Sequence, residues 1–362
     1  MENEKKYTTL LKRIDILKNE RSLNIDLTNS KDRRILHSYN HYNLINAYKD
    51  LFLDKSKPHE DYLDTATLNE FEAIYIFDKN LRKIFLQHIL EIEETIKHLI
   101  TQSFYDYFYQ ECMKNSQSPY DINNLHKEDE YLKPLYYDTT PLHILGGRNT
   151  INRASVHASF ESDVRVKINK AIRKSPYIRQ YSNKGYYPMW IVMNILTLGN
   201  IVNLYDILKY EVKIKMLDKL ELITNYLDIN KNNRIIQEFR DLLRILSTFR
   251  NLCAHNERLY NYLLPRNQIV DNRFMNIHNV IPTNFNSTTQ NFLKRSVFIC
   301  IFIISIFKTP EQKMNFIREI NNEFHNLDKK IKTVTIMDIK HKMNLSFNWE
   351  KTIMKSMSLS VY

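Results

Sequence analysis

The chain has 362 residues and a formal net charge of +11, with only four glycines, nine prolines and three cysteines. Its length allows one large domain or two modest ones, and the scarcity of glycine and proline favours long helices over turn-rich sheets. Cys112, Cys253 and Cys300 are too few and too scattered for a disulfide framework or a thiolate metal site, and they suit a reducing compartment. We therefore expect an all-α protein located in the cytoplasm.

The positive charge favours an anionic partner such as nucleic acid. Residues 148–184 contain nine Lys or Arg and two acids, an excess of seven positive charges. Five of these cations are predicted to lie in a helix: Arg165, Lys167, Lys170, Arg173 and Lys174. From there they could follow the phosphates of an RNA. An ordinary solvated face explains the same residues as well.

Apolar residues at helical spacing predict two amphipathic helices at the start of the chain, over residues 8–18 and 31–52. Residues 66–109 are predicted to form one long packed helix. The stretch 112–147 is interrupted by three prolines and a Gly-Gly pair, so we interpret it as a connecting excursion and a possible subdomain seam.

The long helix has an apolar stripe between residues 81 and 99, and Asp78 and Arg82 lie off that stripe. Glu91, Glu93 and Glu94 could suggest an acid and base pair of carboxylates. Because they lie on a helix beside Lys97, we interpret them as a charged face.

Two features of the C-terminal part predict helices. Residues 296–307 are strongly apolar, but twelve residues are fewer than the roughly 20 that span a bilayer, so we expect a buried helix and no membrane partner. The segment Thr309–Gln312 combines a Thr cap, a Pro at the first helical position and a Gln three residues after the cap, which predicts the start of another helix.

The candidate chemistry lies on a helix predicted over residues 233–256. Arg250, Asn251 and His255 fall off its apolar stripe. RNA can be cut without a metal when a base removes the proton of a ribose 2′-OH and that oxygen attacks the adjacent phosphorus. His255 could move the proton, Arg250 could bind the phosphate oxygens, and Asn251 could orient either.

The spacing R-x4-H is a weak signal by itself. Arg250 in a surface ion pair and His255 near a helix C-terminus, where the helix dipole favours it, form the ordinary structural alternative. His37 and His41 have the i, i+4 spacing of some metal sites but lack an evident third ligand, and no Gly-rich phosphate loop is present. We expect no metal and no cofactor.

The segment 243–261, LRILSTFRNLCAHNERLYN, resembles the signature of bacterial abortive-infection (Abi) proteins of the AbiD and AbiF type, in which an arginine, a polar residue and a histidine form the HEPN motif. Three further segments resemble other blocks of that family in the same order: 39–48, 74–100 and 189–209. These blocks cover roughly residues 10–265, and 343–350 is a fainter similarity.

The resemblance implies a multi-helix HEPN-type bundle with additional helices. An Abi-like region would occupy residues 1–265 and contain the motif helix 233–256. A C-terminal helical extension, 266–362, would pack on that core.

The resemblance further implies an endoribonuclease toxin of an abortive-infection or toxin-antitoxin system, with Arg250 and His255 as the catalytic pair and Asn251 as the polar residue. HEPN proteins generally pair two motifs in one cleft, and one motif is found here, so a homodimer is the economical arrangement. Some relatives are restrained by a small noncoding RNA encoded beside the toxin. The expected partners are therefore an RNA substrate and an antitoxin RNA.

The chain departs from the family pattern at two positions. Asn256 stands where the family often has a second histidine, which puts the role of that position in doubt. Glu257 stands where some HEPN toxins carry a tyrosine that is modified to silence them, so that mode of control is not expected here.

Two other classes of function remain open. In the first, the chain is a non-catalytic RNA-binding protein of a phage-defence system, in which Arg250 and His255 only grip phosphate or pack. In the second, it is a structural helical adaptor, which would leave the clustered basic residues unused.

Overall fold

The protein is largely helical, with 65% helix and 3% strand in a computed structural model. The structure describes residues 7–115, 117–143, 150–266, 285–356 and 358–359. The all-α prediction is confirmed.

The helices of the N-terminal half are α1 (Leu10–Asp15), α2 (Ser30–Ser38), α3 (Lys49–Phe52), α4 (Leu68–Lys114), α5 (Glu128–Tyr131), α6 (Arg153–Ala171), α7 (Pro176–Ser182) and α8 (Met189–Val192). Those of the C-terminal half are α9 (Leu198–Ile207), α10 (Tyr210–Asp218), α11 (Ile229–Ala254), α12 (Ser287–Leu293), α13 (Val297–Ile306), α14 (Pro310–Asp328), α15 (Ile336–Lys342) and α16 (Trp349–Lys355). Short π and 3-10 turns occupy Ile16–Glu20, Tyr42–Asn46, Pro134–Tyr136 and Met193–Ile195, and the strands β1 (Leu142–His143) and β2 (Thr150–Ile151) pair antiparallel.

Helix α4, of 47 residues, is the central element of the fold. It contains no glycine or proline, and the Thr67 side chain caps it by accepting from Glu70 N. The Glu70 carboxylate in turn accepts from Lys332 N at 2.6 Å and Thr333 N at 2.7 Å, which ties the start of α4 to the C-terminal region. Helices α10, α11 and α14 pack against α4.

The predicted charged face of α4 is wrong at Glu93, and Asp78 and Arg82, which lie off the apolar stripe, are not solvated either. Asp78, Arg82 and Glu93 are all buried, with 0%, 3% and 5% of their surface exposed. The reason is that α4 is covered by other helices on several sides, so its off-stripe positions also face protein. Each of these charges is paired rather than solvated.

The second predicted N-terminal helix, over residues 31–52, is not continuous. Helix α2 ends at Ser38, and Tyr39 adopts an extended conformation. The Asn40 side chain then accepts a hydrogen bond from Tyr42 N at 2.8 Å, a local turn that competes with the helix. The break allows the 42–46 turn to stand beside the end of α11.

Helix α13 confirms the prediction of a buried apolar helix, since all ten of its residues are buried. The capping box at Thr309 and Gln312 is also confirmed, and it begins α14. Among the residues that the structure describes, no single helix is long and apolar enough to cross a membrane. Helices α12 and α13, bent by 63° at the break between them, meet that criterion together by length and composition.

The proposed seam contributes buried residues to the same core as the long helices. Leu125, Tyr131 and Tyr136 are at most 1% exposed and belong to that core cluster. Buried apolar residues of α13 and α14 belong to it as well. The division into an N-terminal region and a C-terminal extension stays a prediction.

Candidate functional site

Helix α11 carries the candidate motif at its C-terminal end. Its buried side includes Leu242, Leu246, Phe249 and Leu252, which recur at helical spacing. The helix ends at Ala254, and His255 is its C-cap residue, whose N–H donates to Asn251 O at 2.9 Å. The predicted motif helix, 233–256, therefore begins four residues earlier and ends two residues earlier than expected.

The three motif residues differ in exposure. Asn251 and His255 are exposed, whereas Arg250 is partly buried, with 25% of its side chain accessible. Arg250 Nε lies 3.9 Å from Glu93 Oε2 of α4. Neither of these two atoms has a hydrogen-bond partner among the described residues. The pair is therefore an ion pair without a close hydrogen bond.

Glu93 is itself fixed by a second cation. Lys97 Nζ lies 2.6 Å from Glu93 Oε1 and donates to Leu196 O at 2.7 Å. One carboxylate oxygen of Glu93 thus pairs with Lys97, and the other faces Arg250. The guanidinium of the motif therefore faces a buried carboxylate that the sequence analysis had assigned to a charged face.

The turn that follows His255 is held to α4 by Arg82 and Asp78. Asn256 adopts a left-handed conformation, with φ of 60°, which asparagine tolerates better than most residues. Its side-chain oxygen accepts from Arg82 Nη2 at 2.7 Å, and Glu257 O accepts from Arg82 Nη1 at 3.0 Å. Asn256, which stands where the family often has a second histidine, thus has a structural role because it shapes the turn.

Asp78 continues this buried network. Its carboxylate pairs with Arg82 and accepts from the backbone N–H of Tyr260 at 2.7 Å. Tyr48 donates its hydroxyl to the same carboxylate at 2.9 Å. Burial raises the pKa of Asp78, and the Arg82 charge opposes that rise. Because each charge is paired and hydrogen-bonded, the network fixes the backbone on both sides of the motif turn.

His255 borders a cleft of about 410 Å³ between this turn and the 42–46 segment. The lining residues are Tyr42, Asn43, Asn46, Ala47, Tyr48, Tyr75, Arg82, His255, Asn256, Glu257 and Arg258. Tyr42 is 70% exposed at this cleft. Of the three motif residues, His255 is among those that line the cleft, whereas Arg250 and Asn251 are not.

Several of these groups were missed by sequence reasoning. Tyr42, Asn43 and Asn46 were assigned to a helix and to the resembling segment 39–48 but not to the site, and their meeting with His255 depends on tertiary packing. A usable signal for Arg82 and Asp78 did exist: they are i, i+4 opposite charges placed between apolar positions of a helix predicted to be packed.

The five predicted RNA-binding cations are placed at and after the end of α6. Arg165, Lys167 and Lys170 lie in α6, but Arg173 and Lys174 follow its end, so their assignment to the helix is wrong. The helix stops there because Ser175, the residue before Pro176, adopts an extended conformation and caps α7. All except the intermediate Lys167 are exposed.

Arg165 differs from the others in being paired with acids. It lies 3.0 Å from Glu161 and 3.2 Å from Asp129, which engage its guanidinium. Lys170, Arg173 and Lys174 remain as an exposed basic group at the α6–α7 junction.

No group of three or more His, Cys, Asp or Glu side chains able to hold a metal ion occurs in the described part of the chain. His37 lies in α2 and His41 follows the helix break at Tyr39, so the two do not share one helix face.

The family comparison agrees with the resemblance seen in the sequence. The model of the Abi-like protein family matches residues 34–261, which include α4, α11 and the 42–46 segment. No curated protein and no solved structure matches the chain significantly. Because the matched segment is more than half of the sequence, the chain belongs to the Abi-like protein family, and this membership implies a part in abortive-infection phage defence.

Proposed function

We propose that the protein is a metal-independent endoribonuclease of the HEPN type that acts as the toxin of an abortive-infection system. His255 removes the proton of a ribose 2′-OH, and that oxygen attacks the adjacent phosphorus. The bond from phosphorus to the 5′-oxygen breaks, and the leaving oxygen takes up a proton from a protonated imidazole. The products are a 2′,3′-cyclic phosphate and a 5′-hydroxyl.

The observation that carries the proposal is the placement of His255. It is exposed beside a polar cleft, on a turn whose backbone is fixed by the buried Asp78 and Arg82. A general base has to be accessible to substrate and held in position, and a surface histidine on a free helix end would satisfy only the first condition.

The cleft also has the chemistry to hold a single-stranded RNA. Tyr42 offers an exposed ring on which an unpaired base stacks, and Asn43 and Asn46 offer amides that can hydrogen-bond to base edges. Arg258, which donates to Ala47 O, places a further cation at the cleft. We therefore assign the substrate class as unpaired RNA.

Arg250 is proposed to bind the phosphate whose charge grows in the transition state. Glu93 orients its guanidinium, and the 3.9 Å separation leaves the side chain able to turn towards a phosphate. Arg250 is a quarter exposed, so the group is accessible from the surface beside the helix end.

A homodimer is proposed for the active form. In one protomer His255 lines the cleft and Arg250 lies against α4 outside it, so a two-fold pairing of the α11 ends would add a second set of both groups. Two histidines would also supply a base and an acid for the same reaction.

We further propose that a small noncoding RNA restrains the toxin. The exposed basic group Lys170, Arg173 and Lys174 lies at the α6–α7 junction, on elements separate from the cleft. Cations there can hold an RNA by its phosphates without occupying the catalytic turn.

One observation favours the alternative, a non-catalytic RNA-binding protein. The Arg250 guanidinium faces a carboxylate, which competes with a phosphate for it. If that ion pair persists when RNA is bound, the cleft binds RNA and leaves it intact.

Growth inhibition tests these two functions. Arg250→Ala and His255→Ala should each remove the inhibition caused by expressing the protein, while circular dichroism and soluble yield stay unchanged. Asn251→Ala removes an exposed neighbour of both residues and reports the role of the amide. Full toxicity of a well-expressed His255→Ala protein would refute the catalytic proposal.

A further inference from the structure

A second cavity, of about 300 Å³, lies between α6, α9, α10 and α11 and is separate from the His255 cleft. Its lining is unusually rich in charge. The lining residues are Asp138, Leu142, His143, Arg153, Tyr205, Asp206, Tyr210, Lys213, Asn233, Ile236, Gln237 and Arg240.

Three buried cations meet at this cavity. Arg153, Lys213 and Arg240 have 8%, 3% and 5% of their surface exposed. The lining carboxylates are Asp206, which is buried, and Asp138, which is partly exposed. Among the described lining residues, the cations therefore outnumber the carboxylates by one.

The two carboxylates are already engaged by arginines. Asp206 pairs with Arg240 through both oxygens, and Asp138 pairs with Arg153. Lys213 donates to the backbone carbonyl of Asp206 at 3.2 Å and lies 5.4 Å from the centre of the Tyr205 ring. No carboxylate of the described residues is within ion-pair distance of Lys213.

Three buried polar atoms of the described lining residues are also notable. Among the residues that the structure describes, Arg153 Nε, Arg240 Nη1 and Tyr210 Oη are buried without a hydrogen-bond partner. Arg240 Nη1 lies 3.5 Å from Asp241 Oδ1. Buried donors of this kind each cost free energy when no acceptor meets them.

The burial of Lys213 affects its protonation. Burial first and then the neighbouring Arg153 charge lower its pKa to about 7, against the opposing pull of Asp206 and Asp138. An anion in the cavity would raise the pKa of Lys213, because it favours the charged ammonium.

We propose that this cavity binds a small phosphorylated ligand, with Lys213, Arg153 and Arg240 as the groups that hold its phosphate. A phosphate offers several acceptor oxygens and a negative charge, which suit an ammonium that has no carboxylate partner and two neighbouring guanidinium groups. A carboxylate would satisfy fewer of them. A volume of about 300 Å³ lies at the lower end of the range for small-molecule pockets, so the ligand is of nucleotide size or smaller.

The proposal does not depend on RNA cleavage. The cavity shares no lining residue with the His255 cleft. However, α11 contributes Asn233, Gln237 and Arg240 to the cavity and carries Arg250 further along, so a bound ligand and the candidate motif contact the same helix.

Calorimetric titration of the full-length protein with inorganic phosphate and with adenosine 5′-monophosphate tests the proposal. Both should bind, and Lys213→Met should weaken binding by about ten- to a hundredfold, because it removes a charge-assisted hydrogen bond. Lys215→Met is the matched control, since Lys215 lies on the same helix outside the cavity and bonds to Gln110. It should bind like the wild type.

Proton uptake gives a second measurement. At pH 8 ligand binding should take up protons in the wild type, seen as a binding heat that depends on the ionisation enthalpy of the buffer, and Lys213→Met should lose this dependence. If neither ligand binds at millimolar concentration, or if Lys213→Met and Lys215→Met bind equally, the proposal is overturned. Binding only of a 5′-phosphorylated RNA oligonucleotide would also contradict it.

Discussion

Arg82 of α4 donates a 2.7 Å hydrogen bond to the side chain of Asn256, which lies 174 residues further along the chain and directly follows His255. The central helix thereby sets the conformation of the turn that carries the candidate base. The Arg82 guanidinium that donates this bond is buried and is itself paired with Asp78. The conformation of the motif thus depends on tertiary contacts, although Arg250, Asn251 and His255 lie close together in the sequence.

The left-handed conformation of Asn256 gives the first prediction. Asn256→Gly should lose the Arg82 hydrogen bond but accept the backbone conformation, whereas Asn256→Ala should lose the bond and add about 1 kcal/mol of backbone strain. Urea denaturation should therefore rank wild type above Asn256→Gly, and Asn256→Gly above Asn256→Ala. Equal stability of the two variants would mean that the turn relaxes.

The ion pair between Glu93 and Arg250 gives the second prediction, which rests on the proposed nuclease. Glu93→Gln should lower kcat for RNA cleavage by about ten- to a hundredfold with little change in KM, because the guanidinium is no longer oriented. Glu94→Gln is the matched control, since Glu94 is the exposed neighbour on the same helix. If both variants cleave at the same rate, Glu93 does not position Arg250.

The buried Lys213 gives the third prediction. Its folded-state pKa of about 7 lies below the unfolded value, so the unfolded chain binds more protons above pH 7 and stability gains as pH rises. Between pH 7 and pH 9 this contribution is on the order of 2 kcal/mol.

Urea midpoints at pH 7, 8 and 9 measure that contribution as the difference between wild type and Lys213→Met. The stability advantage of Lys213→Met should be largest at pH 7 and shrink towards pH 9. A difference that stays constant over this range would show that the lysine titrates normally.

The basic group at the α6–α7 junction gives the fourth prediction. Changing Lys170, Arg173 and Lys174 to Gln should weaken RNA binding across sequences and flatten its salt dependence by a slope of roughly 0.7 to 0.9 for each lost contact. Cells that carry the proposed antitoxin RNA should then lose protection.

The control for that experiment changes three exposed lysines at and after the end of α14, Lys329, Lys330 and Lys332, to Gln. It removes the same net charge elsewhere on the surface. If both triple variants reduce RNA affinity equally, the effect is one of net charge. If the α6–α7 variant reduces toxicity instead of relieving control, those cations guide substrate.

The sequence predicted the elements whose signals are local. The all-α class, the long helix α4, the buried α13 and the capping box at Thr309 follow from composition, periodicity and the spacing of a few side chains. The helix ends were less accurate, because the break at Tyr39 depends on a competing turn at Asn40.

The surroundings of the motif could not be obtained in the same way. Periodicity placed Asp78 off the apolar stripe and Glu93 on a charged face, because the pattern of one helix carries no information on the helices that cover α4 on several sides. The meeting of Tyr42 with His255 and the charged cavity around Lys213 likewise arise only when distant segments pack.

The central claim is that His255 cuts RNA without a metal. The most direct measurement is incubation of an unstructured RNA with the purified protein in EDTA, followed by analysis of the product ends, for wild type and His255→Ala. Wild-type protein should release fragments that end in a 2′,3′-cyclic phosphate, and His255→Ala should release none. Intact RNA with wild-type protein in EDTA and cleavage only after a divalent ion is added, or equal cleavage by His255→Ala, would contradict the account.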